Sequence, residues 1–173
     1  RYGRRQRQMC IRDRIYIGFL GLFAGTITLE IHHLMPPSLK FLQGTTYLIY
    51  SFTLELASLV YLGGIAWALY RRIFGTEERL KTKTKMDDYL TLALLGFMGV
   101  SGLTTEAGRI IVEGFPDYEK WSFVGYFIAE LLPIENGVTF HRISWILHVI
   151  SFFIFLIVLP QSKLRHIVTS PVN

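Results

Sequence analysis

Cysteine is almost absent. Of 173 residues only Cys10 is a cysteine, and it lies within "RRQRQMCIRDR", residues 4–14. That stretch coincides with the translation of a common transposase sequencing adapter: MCIRDR is encoded by ATG TGT ATA AGA GAC AG plus one further base, and RRQRQ by the bases before it. Residues 1–14 are therefore expected to be a sequencing-adapter artefact and are set aside from the fold reading, as an engineered scar would be. A native basic arm would instead bind nucleic acid or fix the orientation of a membrane helix. Without Cys10 the remaining 159 residues form no disulfide, thiolate metal site, cysteine nucleophile or iron–sulfur cluster.

An excess of one charge is missing too. Residues 1–14 carry six arginines and one aspartate, which is the whole formal net charge of +5, so 12 basic and 12 acidic residues remain. A nucleic-acid partner inferred from the high pI would rest on that segment alone. There is no internal repeat and no low-complexity linker. "GGIAWALYRR" has no strand before it, which excludes a phosphate loop, and no Ser/His/Asp arrangement stands at a credible site.

What the chain has is apolar length. Hydrophobic residues make up 51%, gathered into long runs rather than spaced with period 2 or 3.6. Four runs reach about 20 residues, enough to cross a hydrocarbon core of roughly 30 Å: 15–33, 47–70, 89–112 and 140–159. A fifth, "WSFVGYFIAELL" from Trp121, is too short to cross and is expected to lie in the interface or re-enter. The expected fold is all-α, a polytopic membrane helix bundle of four transmembrane helices plus a short interfacial helix. Pro36 and Pro37 mark the first outer turn, and Pro160 closes the last span.

Orientation follows from Lys and Arg in the short loops. "RRIFGTEERLKTKTKMDD" has six between Arg71 and Lys85, whereas 34–46 and 113–139 have one each, Lys40 and Lys120. The basic loop is expected to be cytoplasmic. Ile15 and the tail "QSKLRHIVTSPVN" then lie inside, and His32, His33 and the interfacial segment lie outside, provided that 121–132 does not cross. The domain reading is a membrane domain at 15–161 and a cytoplasmic tail at 162–173 leading to a continuation or partner.

All five histidines, His32, His33, His141, His148 and His166, lie in or beside these spans. Intramembrane ionisable residues point to function, although interfacial histidines are often inert. His148 and His166 are 18 residues apart, five helical turns, which puts them on one face about 27 Å apart on a continuous helix. His141, seven residues before His148, faces the same side. Imidazoles at two depths on one face suit two haems stacked across a bilayer, each iron taking one histidine from this helix and one from a neighbour. Proton relays also use histidine chains but need no such separation.

"HRISWILHVISFFIFLIVLPQSKLRHIVTSPVN" is similar to the last membrane helix of the respiratory nitrate reductase gamma-subunit family, in which two haem-ligating histidines keep the same 18-residue interval, the second within a motif similar to "SKLRH". "GFLGLFAGT", "GGIAWALYRR", "EAGRI" and "KWSFVGY" resemble the cytochrome-b-like membrane region fused to iron–sulfur domains in heterodisulfide-reductase-related oxidoreductases. These motifs are spread through residues 15–173. The resemblance implies that His148 ligates the outer haem and His166 the inner one. It places both partners on the first helix, the inner ligand near its cytoplasmic start, where the adapter-like segment now stands. His33 is the first choice for the outer partner and His32 the second, with His141 competing; the family pattern would put this ligand deeper, near Thr26, which cannot serve.

Glu106 and Arg109, three apart, are expected to form an intrahelical ion pair; alternatively Arg109 contacts a haem propionate, or the two line a quinone pocket. Glu30 and Glu55 could accept protons from a quinol, but the favoured reading has them solvated near the interface. Trp67, Trp121 and Trp145 fit lipid-interface belts. The chain thus reads as a b-type cytochrome module passing electrons between a quinone pool, menaquinone or ubiquinone, and a cytoplasmic iron–sulfur oxidoreductase domain or subunit. In the intact protein it would hold two haems b, in a prokaryotic plasma membrane with the C-terminus cytoplasmic, and would be part of an oxidoreductase rather than a complete enzyme. A proton-coupled transporter and a passive membrane anchor without haem are the alternatives.

Overall fold

The computed structural model describes residues 2–74, 86–132 and 135–158; the side chains of 1–14, 33, 37 and 86–88 lie outside that description. Among the described residues five α-helices follow in order: α1 (Tyr2–Leu34), α2 (Thr45–Phe74), α3 (Met86–Glu113), α4 (Phe123–Leu131) and α5 (Gly137–Val158). Single 3₁₀ turns at Pro37–Leu39 and Asp117–Trp121 join α1 to α2 and α3 to α4. No strand occurs among the described residues. Among the described residues four helices contain a segment long and apolar enough to cross a membrane: Ile15–His32, Thr45–Phe74, Tyr89–Glu113 and Gly137–Val158. α4, with nine residues, is only about 13 Å long and cannot span.

The ends of α1 and α3 and the start of α5 follow from their sequences. α1 meets Pro36, whose ring disfavours helical geometry in the residue before it. α3 ends in "GFP": Gly114 takes φ +76, its N–H bonds to Ile111 O, and Phe115 N–H reaches back to Ile110 O. That double bond is the Schellman arrangement, which satisfies the last carbonyls of a helix and needs a residue that tolerates left-handed φ. Asn136 caps α5 through its side-chain oxygen on Thr139 N–H, 3.3 Å.

α5 packs along α3, α1 along α2, and α4 against the upper part of α3, where upper means the end carrying the 34–44 and 114–136 connections. α1 and α5 meet through rings rather than close backbone approach: Phe19 on Phe155 at 5.3 Å and Phe23 on Phe152 at 5.8 Å between centroids. Tyr61, Ile65, Leu95, Met98 and Phe155 form the main buried cluster. Tyr61 donates to Leu95 O at 2.9 Å, so its hydroxyl is satisfied where no water competes. A second cluster, Ala107, Ile110 and Ala129, seats α4 on α3.

The bundle is inverted relative to a water-soluble protein. Ser51, Glu55, Ser58, Ser101, Ser144 and Ser151 are buried, whereas Ile49, Leu56, Val60, Ile146, Ile150 and Ile157 are exposed. With lipid outside, burial of apolar surface drives nothing, and close van der Waals packing of small residues holds the helices together. Gly108 shows this: a Cβ there would stand 2.9 Å from His141 Cα, so α5 could not approach α3 as it does.

Candidate functional site

The face of α5 that meets α3 carries His141, Ser144, His148 and Ser151, residues recurring at helical spacing. Opposite lie Ser101, Gly102, Thr105 and Gly108 of α3. His148 is half-buried; its Nδ1 is 2.9 Å from Ser101 Oγ, and its ring edge passes Gly102, where a Cβ would be 3.4 Å from Cε1. Ser101 donates its own hydroxyl proton to Met98 O at 3.0 Å. With its proton on Met98 O, Ser101 Oγ is the acceptor for His148 Nδ1–H, and in that tautomer the Nε2 lone pair is free for a ligand. His141 is held likewise, its Nδ1 3.0 Å from Thr105 O. A carbonyl can only accept, so Nδ1 again carries the proton.

His32 has the opposite polarity. Its Nδ1 accepts from Leu42 N–H at 3.2 Å, and Phe41 packs edge-on against its ring at 5.5 Å. An imidazole accepting at Nδ1 holds its proton at Nε2 when neutral. The side chain of His33 and the whole of His166 lie outside the described residues. The structure thus brings His141 and His148 onto one helix interface and puts His32 in the last turn of α1, bonded to the connection that follows.

Arg109 departs from the expected geometry. Its ion-pair partners are not Glu106 but Glu119 and Glu113. Both guanidinium arms grip Glu119, Nη1 to Oε1 at 2.7 Å and Nη2 to Oε2 at 3.0 Å, while Nη1 also reaches Glu113 at 3.0 Å. The 3₁₀ turn after Gly114 returns the chain over α3 and presents a carboxylate that the guanidinium meets with two parallel bonds, whereas Glu106 three residues away offers no such fork. Glu119 is fully buried and also accepts from Tyr47 Oη at 2.6 Å and Ser122 Oγ at 3.2 Å. Ser122 in turn hydrogen-bonds Ser51. Burial would raise the Glu119 carboxyl, but the bonds from Arg109 and Tyr47 and the arginine charge outweigh it and hold it below the usual carboxylate range.

Glu55 is a second correction. Expected to be solvated, it is 2% exposed. It reaches from α2 to the start of α4, where Oε1 accepts from Gly125 N–H at 3.0 Å. Ser122 makes no side-chain cap there, so a carboxylate from another helix satisfies an orphan N–H at the positive end of α4. Oε2 of Glu55 has no partner. Glu106 comes to the same glycine from α3: a Cβ on Gly125 would be 3.0 Å from Glu106 Cγ. Glu30, by contrast, is exposed. Sequence reading missed Ser101, Glu119, Ser122 and Gly125. For Ser122 and Gly125 the signal was "KWSFVGY", where a serine and a glycine interrupt an apolar piece too short to span; Ser101 and Glu119 carried none.

The profile of the family described as nitrate reductase gamma subunit matches residues 5–173. Two curated proteins are similar over most of this chain. One is described as EtfAB:quinone oxidoreductase, from Syntrophomonas wolfei subsp. wolfei (strain DSM 2245B / Goettingen), 24% identical over 171 residues covering 92% of this chain. The other is described as probable iron-sulfur-binding oxidoreductase FadF, from Bacillus subtilis (strain 168), 27% identical over 176 residues covering 94% of this chain. The chain spans 23% of the length of each. No solved structure matches.

Proposed function

The chain belongs to the nitrate reductase gamma subunit family, and on that premise we propose that it is the membrane electron-transfer module of a larger oxidoreductase, holding haem b and exchanging electrons between a membrane quinone and an iron–sulfur domain or subunit. The observation that carries this reading is the anchoring of His148. An axial imidazole needs Nε2 free for iron and gains orientation and basicity when Nδ1–H is bonded elsewhere. Ser101 supplies that bond. His141 is in the same state, so α5 offers two imidazoles whose Nε2 could each serve as one axial ligand of a b-type haem, the second coming from another helix. Haem contributes reversible one-electron exchange at iron, while the chain contributes ligands, spacing and a low dielectric.

In this reading His148 and His166 are the axial ligands from the last helix. His33 is the partner from α1, and His141 competes for the outer site. The proton on His32 Nε2 suits it to pinning the 34–44 connection rather than to ligation. Arg109 serves the fold by holding Glu119, its contact to a haem propionate being the alternative. The basic loop at 71–85 supports a cytoplasmic lower end, hence a cytoplasmic C-terminus in a prokaryotic plasma membrane, with menaquinone or ubiquinone met at the upper end. The relatives' descriptions as quinone and iron–sulfur oxidoreductases support the two partners.

The test is a reduced-minus-oxidised optical spectrum of the full-length natural protein in membranes. A b-type spectrum is expected, and His148→Ala removes the outer haem signal. A protein without haem absorption, or an H148A variant with full haem content, overturns the reading.

A further inference from the structure

Four carboxylates and one guanidinium crowd the place where α4 folds back on α2 and α3. Arg109 is committed, with both arms on Glu119 and one also on Glu113. Glu55 and Glu106 therefore face each other across Gly125 with no cation bound to either among the described residues. The charged or titratable groups around Glu106 are Glu55 on α2, Arg109 on its own helix, Glu119 on the 3₁₀ turn, and Tyr50 on α2. Tyr50 donates its hydroxyl to Gly25 O at 2.7 Å and so gives Glu106 no proton. Two neighbouring carboxyls, one buried and one half-buried, cannot both stay ionised at low cost, and such pairs in membranes hold and pass protons.

Geometry adds two facts. Glu55 Oε2 is buried and unpartnered, so the pair has an open hydrogen-bonding position. Glu106 is half-buried and lies one helical turn, about 6 Å, above Gly102, which touches the His148 ring. A proton-accepting group thus stands one turn from the histidine assigned to the outer haem.

We propose that Glu55 and Glu106 form the proton-exchange site for the quinone, an inference that rests on the electron-transfer reading above. Glu106 is the group that meets the hydroquinone, and Glu55 is the positioning carboxyl behind it. Oxidising one hydroquinone breaks two O–H bonds. The protons would leave one after the other to the Glu106 carboxylate and on to water at the upper end, while the haem held by His148 would take up the two electrons singly, each passed on to the iron–sulfur partner before the next arrives. Run in reverse, the same groups protonate a quinone. Gly125 is what lets both carboxyls reach the site, because a side chain there would collide with Glu106.

The experiment uses the full-length protein in its membrane with Glu55→Gln and Glu106→Gln, and Glu106→Asp as a second variant that keeps the acid. A short-chain naphthohydroquinone is the electron donor. E106Q is expected to slow hydroquinone-driven haem reduction at least tenfold while dithionite still gives the full b-type spectrum, and E106D recovers part of the rate. E55Q shifts the pH profile of that reduction. The infrared band of a buried protonated carboxyl, present with or without donor, disappears in E55Q and in E106Q. Unchanged rates in E106Q, or an infrared band that survives both substitutions, overturns this inference alone. A wild-type protein without haem absorption overturns the electron-transfer reading and this one with it.

Discussion

At the residue scale, the property that matters is which ring nitrogen carries the proton. His32, His141 and His148 are one residue type with two tautomers, selected by a backbone N–H in the first case and by oxygen acceptors in the others. Sequence spacing put His148 and His141 on one face because helical periodicity is local. It could not reveal Ser101, 47 residues away, since nothing in spacing says which helix comes opposite. Ser101→Ala removes the acceptor for Nδ1–H and leaves the ring free to turn. We expect haem affinity about 10–100-fold weaker with the protein still folded, in line with the loss of a hydrogen bond behind a metal-bound histidine. Titration of apoprotein with haem measures it, and an unchanged affinity in S101A would show that the serine does not orient the ring.

At the scale of elements, α4 is held by charge as well as by apolar packing. Nine residues are too few for a stable independent helix; Ala129 packs on α3, Glu55 caps the helix start, and the Glu119–Arg109 fork fastens the turn leading into it. The folded-state carboxyl of Glu119 lies below its ordinary value. Its contribution to stability is therefore complete above the usual Glu range, about pH 4.3, and is lost as pH falls through the lowered folded value. Acidification should release the 117–131 segment before the spanning helices respond. Trp121 fluorescence in a Trp67→Phe, Trp145→Phe background would follow that step. Glu119→Gln, ionised in neither state, should show no such acid transition; a transition identical to that of wild type would place its origin elsewhere. The length of this piece by itself excludes a crossing, but its partners depend on three separate segments meeting.

At the scale of the whole molecule, apolar residues face outward and serines and carboxylates face inward, as a lipid environment requires. The proposed orientation follows from the six basic residues between Arg71 and Lys85 against single lysines at the other end. A reporter active only in the cytoplasm should work when inserted after Glu78 and fail after Lys40; the reverse pattern would invert the assignment of outer and inner sites.

The sequence by itself determined the class, the four spans within a few residues, the short fifth helix and the candidate histidines on the last helix. Each follows from local length, hydropathy and periodicity, which need no partner to be legible. Tertiary structure alone decided that Arg109 pairs with Glu119 rather than Glu106, that Glu55 is buried as a cap for α4, and that two carboxyls converge on Gly125. Those outcomes depend on which helices lie side by side. Long-range contact is decided by packing and by satisfying buried polar groups, and a one-dimensional pattern carries neither.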